Sequence, residues 1–117
     1  MGRWLRATIN SWNGLCHIAR TELAFRQELA VLTAAVPLAL FIAVDAWKRL
    51  TLIAVILLVL IVELVNTAIE KLADRVSREN DVEIGLVKDM GSAAVAAALL
   101  VAGLVWLLAL AEWVRLI

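Results

Sequence analysis

Three uncharged apolar runs, Leu29–Val44, Leu50–Val62 and Gly91–Ala111, take up most of this chain. A helix crossing a bilayer needs about 20 mostly apolar residues, and in lipid its backbone groups must bond within the segment. Gly91–Ala111 meets that length unaided. Leu50–Val62 reaches it by continuing as Leu64, Val65, Ala68 and Ile69 around Glu63, Asn66 and Thr67. Leu29–Val44 reaches it by drawing in Ala24 and Phe25, and Pro37 within it predicts a kink. The expectation is an all-α membrane protein with three transmembrane helices, at about 29–45, 50–70 and 91–111. With an arm over residues 1–28, they form a single domain of 117 residues. A composition 64% hydrophobic and 19% charged is too apolar for a water-soluble domain.

The charges set the orientation. Arg3, Arg6, Arg20 and Arg26 precede the first span, and Lys71, Arg75, Arg78 and Lys88 lie between the second and third. Lys48, Arg49 and Arg115 fall on the other side. The excess predicts a cytoplasmic N-terminus and second connection, with Trp47, Trp113 and the C-terminus outside. The connections expected are Asp45–Arg49 and Lys71–Met90, the latter turning at Arg78–Asp81. Residues 1–28 hold no continuous apolar stretch of the kind a secretory signal needs. At 100° per residue, Trp4, Leu5, Trp12, Leu15, Ile18, Ala19 and Leu23 share one side of a helix, opposite Arg3, Arg6, Asn10, Asn13 and Arg20. Such a helix lies in the membrane interface. A formal net charge of zero gives no reason to expect nucleic acid as a partner. Cys16 is the only cysteine, which excludes an intrachain disulfide or a cysteine-based zinc site, and His17 has no triad-like neighbours.

The second span carries the chemistry. Glu63, Asn66, Glu70 and Asp74 are spaced i, i+3, i+7 and i+11, within about 80° of arc on one helical face. A charged carboxylate in a span costs on the order of 3 kcal/mol, so Glu63 in an apolar run calls for a use. It can be an interhelical clamp, a proton or cation site of a transporter, or part of a catalytic group. Hard oxygen donors suit magnesium, which binds one or two carboxylates together with phosphate oxygens and water. A further carboxylate can take a proton from a hydroxyl, and the set would support phosphoryl transfer to a lipid alcohol. No Gly-rich phosphate loop of the soluble kinases is present, so metal and basic side chains would have to hold the phosphates. Lys88 and Asp89, just before the third span, are candidates to meet phosphate and ribose or metal-bound water.

These residues resemble the motifs of the prokaryotic diacylglycerol kinase family. The stretch Glu63-Leu-Val-Asn-Thr-Ala-Ile-Glu70 with Asp74-Arg75 is similar to its signature, as is Lys88-Asp-Met-Gly-Ser-Ala-Ala-Val95. Glu22-Leu-Ala-Phe-Arg-Gln-Glu28 and Ser11-Trp12-Asn13-Gly14-Leu15 match in order and spacing, so the likeness covers nearly the whole chain. It implies a homotrimer in a bacterial inner membrane, with sites shared between subunits. The reaction it implies is transfer of the ATP γ-phosphoryl group to the 3-hydroxyl of diacylglycerol, with magnesium. Glu63 would then be the general base, and Glu22 and Glu70 would hold magnesium with the ATP phosphates. Arg3, Asn10, Asn66, Lys88 and Asp89 would complete the nucleotide site, with Glu79, Asn80 and Asp81 as further candidates. Trp12, Ala24, Glu28 and Ser92 would lie with Glu63 on the lipid side. Two departures fall in the arm: Asn10 stands where the family has tyrosine, and Cys16-His17-Ile18-Ala19 replaces an Arg-Ala-Ala-Trp-like stretch. Within the family the rival substrate is undecaprenol, although Ala-Phe-Arg-Gln-Glu resembles the diacylglycerol type.

Overall fold

The computed structural model describes residues 2–77 and 81–117, and four helices are present among them: α1 (Gly2–Thr21), α2 (Leu23–Ile42), α3 (Ala46–Val76) and α4 (Val82–Trp113). The last three are long and apolar enough to cross a membrane, as the runs in the sequence require. α3 is the hub, packed mainly on α4 and α2, while α1 leans on the start of α2. Its buried stripe, Leu52, Val55, Val59, Leu60, Glu63, Asn66, Thr67 and Ala73, follows the three- and four-residue spacing of one helical face. α4 meets that stripe through Gly91, Ala98, Ala102 and Ala109. Small residues of this kind let membrane helices approach closely where no hydrophobic force drives them together.

The helices outrun the apolar segments, and this corrects the expected boundaries. α3 continues six residues past Glu70 to Val76, and α4 begins at Val82, nine residues before Gly91. The expected connection Lys71–Met90 is therefore mostly helix. Of the turn expected at Arg78–Asp81, residues 78–80 lie outside the described residues. Asp81 caps α4, its carboxylate accepting from the backbone N–H of Glu83 at 2.9 Å and of Ile84 at 3.3 Å. Hydropathy marks where lipid ends, whereas the helix ends where a cap or a turn stops it. Asp45 likewise caps α3 by accepting from the Lys48 N–H at 3.0 Å, so that connection shrinks to residues 43–45. α2 begins at Leu23, so Ala24 and Phe25 extend the first span as expected, and Glu28 moves from the arm into the same helix. It runs unbroken through Pro37.

α1 is the amphipathic helix expected, and only its C-terminal end is held. Ile18 packs with Phe25 of α2 and Leu60 of α3. Lys71 of α3 bonds the His17 ring Nε2 at 2.8 Å. An ammonium can only donate, so that nitrogen is the acceptor. Trp4 and Trp12 remain 74% and 67% exposed, as the face of an interfacial helix would be in the absence of lipid.

Candidate active site

The α1–α2 corner places the first acidic residue. Glu22 has an extended backbone, φ −117° and ψ 114°, and its side chain makes no capping bond. Arg26 braces the turn by donating to the carbonyls of Ala19 and Arg20, both at 3.0 Å. The Glu22 carboxylate is thus held at the corner without being consumed by it. Glu28, two turns further along α2, is half-buried, and its Oε1 is buried without a hydrogen-bond partner among the described residues.

On α3, Glu63 is buried at 9% exposure and lies within electrostatic reach of Glu70, Glu22 and Glu28. Four carboxylates from two helices therefore converge on one end of the bundle. Asn66, 8% exposed, donates from Nδ2 to Glu70 Oε1 at 3.1 Å. An ionised carboxylate only accepts, which fixes the amide orientation and leaves Asn66 Oδ1 buried with no donor among the described residues. Leaving a buried acceptor unpaired costs about 1–3 kcal/mol, a cost the fold tolerates here and at Glu28.

α4 enters this group through Gly91. A Cβ added there would overlap the Asn66 side chain, so two separated motifs touch at a point that only glycine permits. Glycine at this position holds the amide between Glu70 and the backbone of α4. One turn earlier, Lys88 forms an ion pair with Asp74. The lysine expected to meet phosphate is thus paired with Asp74, from α4 to α3.

The remaining residues divide. Glu70 is the exposed member of the cluster, Asp89 and Ser92 are exposed on α4 next to Lys88 and Gly91, and Ala24 is exposed on the first turn of α2. Asp81 is spent as a helix cap, and Glu79 and Asn80 lie outside the described residues. Arg3 and Asn10 are exposed on α1, 19 and 12 residues before Glu22. At 1.5 Å per residue that is roughly 28 and 18 Å away, so a single chain does not bring them to the acidic group. Trp12 lies nearer, lining a cavity of about 260 Å³ with Leu15, Cys16, Ala19, Phe25 and Leu29. The Gly91–Asn66 contact and the Lys88–Asp74 and His17–Lys71 pairs were not read from the sequence. A glycine one helical turn past a lysine signalled the first only weakly.

The donor chemistry fits magnesium. Among the described residues no group of three or more Asp, Glu, His or Cys forms an all-protein metal cage. Magnesium does not require one, because it is held by one or two carboxylates together with substrate phosphates and water. Glu22, at the corner, and Glu70, exposed on α3 with one carboxylate oxygen bonded to Asn66, would be the residues to hold it.

The fold and site define an all-helical integral membrane protein with a carboxylate cluster at one end of its spans. The chain belongs to the prokaryotic diacylglycerol kinase family, whose pattern matches residues 9–110. It is 44% identical to the diacylglycerol kinase of Escherichia coli (strain K12) over 104 residues, 89% of this chain and 85% of that protein. Identity to the Pseudomonas aeruginosa diacylglycerol kinase is also 44% over 104 residues, with the same coverage. The Haemophilus influenzae diacylglycerol kinase is 35% identical over 102 residues, 87% of this chain and 86% of that protein.

Proposed function

We propose that this protein is a lipid kinase that phosphorylates the 3-hydroxyl of diacylglycerol with ATP, giving phosphatidic acid at the cytoplasmic face of a bacterial inner membrane. The observation that carries the reading is Glu63, a buried carboxylate in an apolar helix, grouped with Glu22, Glu28 and Glu70. Family membership supplies the reaction class, and the relatives named above are diacylglycerol kinases.

Glu63 accepts the proton of the lipid 3-hydroxyl as that oxygen attacks the γ-phosphorus. A new P–O bond forms to the lipid, the bond to the ADP β-phosphate oxygen breaks, and ADP leaves. Glu22 and Glu70 would hold magnesium on the ATP phosphates, where the ion neutralises the charge of the transferring group. Asn66 positions Glu70 through its Nδ2 bond, and Asp89 stands at the cleft mouth for the nucleotide. Lys88 exchanges Asp74 for phosphate when ATP enters. Glu28, Ala24, Ser92 and Trp12 face the lipid. Arg3 and Asn10, distant within one chain, would reach a nucleotide only if a neighbouring subunit supplied them, as the shared sites of a homotrimer would allow.

A transporter would need polar groups through the depth of the bundle. Among the described residues the charges instead gather at its two ends, with Ala39, Leu52, Val55, Val59 and Ala102 buried between. The test is ATP- and magnesium-dependent phosphorylation by purified protein in mixed micelles, with diacylglycerol and undecaprenol side by side. Phosphatidic acid is the expected product. Faster turnover of undecaprenol would reassign the substrate, and folded protein inactive on both would end the kinase reading.

A further inference from the structure

His17 and Lys71 form a contact that the proposed reaction leaves unused. Lys71 Nζ lies 2.8 Å from His17 Nε2, and the ammonium donates to an unprotonated ring nitrogen. The neutral ring therefore carries its proton on Nδ1. At 100° per residue Lys71 shares one side of α3 with Leu60 and Leu64, which pack with Ile18 and Phe25. Lys71 thus supplies the polar half of the dock that holds the end of α1, and Leu60 the apolar half. What the dock fixes reaches the acidic cluster through the backbone. The Thr21 hydroxyl donates to the His17 carbonyl at 2.9 Å, and the Glu22 N–H donates to the Ile18 carbonyl at 2.9 Å. The helical turn that carries the His17 ring therefore also sets the place of Glu22.

We infer that His17 is a positioning residue: by accepting from Lys71 it holds the last turn of α1, and with it Glu22, where Glu22 binds magnesium. The inference rests on the proposed role of Glu22 and adds a residue that touches neither metal nor substrate. The contact is also open to acid. Imidazole takes up a proton between about pH 5 and 8, and an imidazolium cannot accept from an ammonium. The ionisable groups on the elements around the ring are Glu70, Lys71 and Asp74 on α3, Glu22 and Arg26 at the corner, and Cys16 and Arg20 on α1. Arg26 is committed to the carbonyls of Ala19 and Arg20, and Arg20 to that of Cys16, so a protonated ring meets Lys71. The bond is present where the ring is neutral and is lost as pH falls.

The test compares His17→Gln, whose amide oxygen accepts but does not titrate, with His17→Ala and Lys71→Met in full-length protein. Metal binding is read without turnover, as manganese bound with a non-hydrolysable ATP analogue and followed by electron paramagnetic resonance. His17→Ala and Lys71→Met should each weaken manganese binding by about fivefold, the scale of one lost hydrogen bond, and raise the magnesium needed for half-maximal activity equally. At saturating magnesium their kcat should stay close to wild type. His17→Gln should keep wild-type affinity and, unlike wild type, hold it as the pH is lowered through the imidazole range. His17 is the only histidine, so nitrogen NMR of the ring should show Nδ1 protonated at neutral pH. Equal loss in His17→Gln and His17→Ala, unchanged affinity in all variants, or a ring protonated on Nε2 would overturn the assignment. Lower thermal stability with unchanged manganese affinity would make the dock merely structural. Wild-type protein that binds no manganese and phosphorylates no lipid would remove the proposed function itself, a result distinct from variants that match an active wild type.

Discussion

The two ends of the bundle treat their polar groups in opposite ways. At the end where α2 turns into α3, the main polar side chains are matched. Arg49 donates to the carbonyls of Ala43 at 2.7 Å and Leu40 at 3.0 Å, closing the C-terminus of α2. Asp45 caps α3, and Lys48 pairs with Glu112 of α4 at 2.6 Å. Phe41 and Trp113 meet edge to face at 5.7 Å over a core of Ala39, Ile42, Ala43, Leu52 and Ala109. At the other end, like charges are gathered and, among the described residues, two buried oxygens lack partners. One end is built to hold the helices together. The other keeps groups uncommitted, as a site must if a substrate is to satisfy them.

The sharpest way to break that contrast is Glu63→Gln. Loss of the general base should lower kcat by about 10²–10⁴-fold while nucleotide binding and folding persist. Binding is read by equilibrium dialysis of ATP with magnesium; if affinity vanishes together with turnover, Glu63 belongs to the metal site and not to proton transfer. Next in size is Gly91→Ala, which drives a methyl group into the Asn66 amide. Overpacking of this kind costs about 1–3 kcal/mol, seen as lower resistance to denaturing detergent, and activity should fall with it as Asn66 leaves Glu70. Unchanged stability and activity would mean that the α3–α4 contact at Asn66 is loose.

Arg49→Ala sharpens the comparison from the matched end. It strands two carbonyls and should destabilise by about 1–3 kcal/mol, with KM for ATP unchanged. A large change in KM for ATP would show that the two ends are coupled. The smallest effect is expected for Lys48→Ala, which breaks a part-exposed ion pair with Glu112. A loss of no more than about 1 kcal/mol, weaker still at high salt, is the expected unfolding result. A bigger loss would give that pair a role in fixing α3 against α4.

Much of this was legible before the fold. The three runs, the amphipathic arm and the acidic face of α3 all follow from periodicity, because hydropathy and helical spacing are local properties. Helix ends were less legible. Lys71, Leu72 and Asp74 favour helix but not lipid, so α3 outlasts its apolar run until Ser77, and the cap at Asp81 starts α4 early. The motif residues were found, but their pairing was not. Lys88 reads as a candidate phosphate ligand, and nothing in its neighbours along the chain indicates that Asp74, fourteen residues earlier, pairs with it.

The sequence alone determined that this chain crosses a membrane three times and carries carboxylates on one helical face. Both are one-dimensional facts, set by the length of apolar runs and by the 3.6-residue period. Only the tertiary structure decided which polar atoms stay unmatched, because that depends on what another helix presents. Glycine at 91 sets Asn66 against the α4 backbone, and the corner at Glu22 brings a second helix of carboxylates to Glu63. Such contacts join residues far apart in the chain, and their geometry comes from packing that no local pattern encodes.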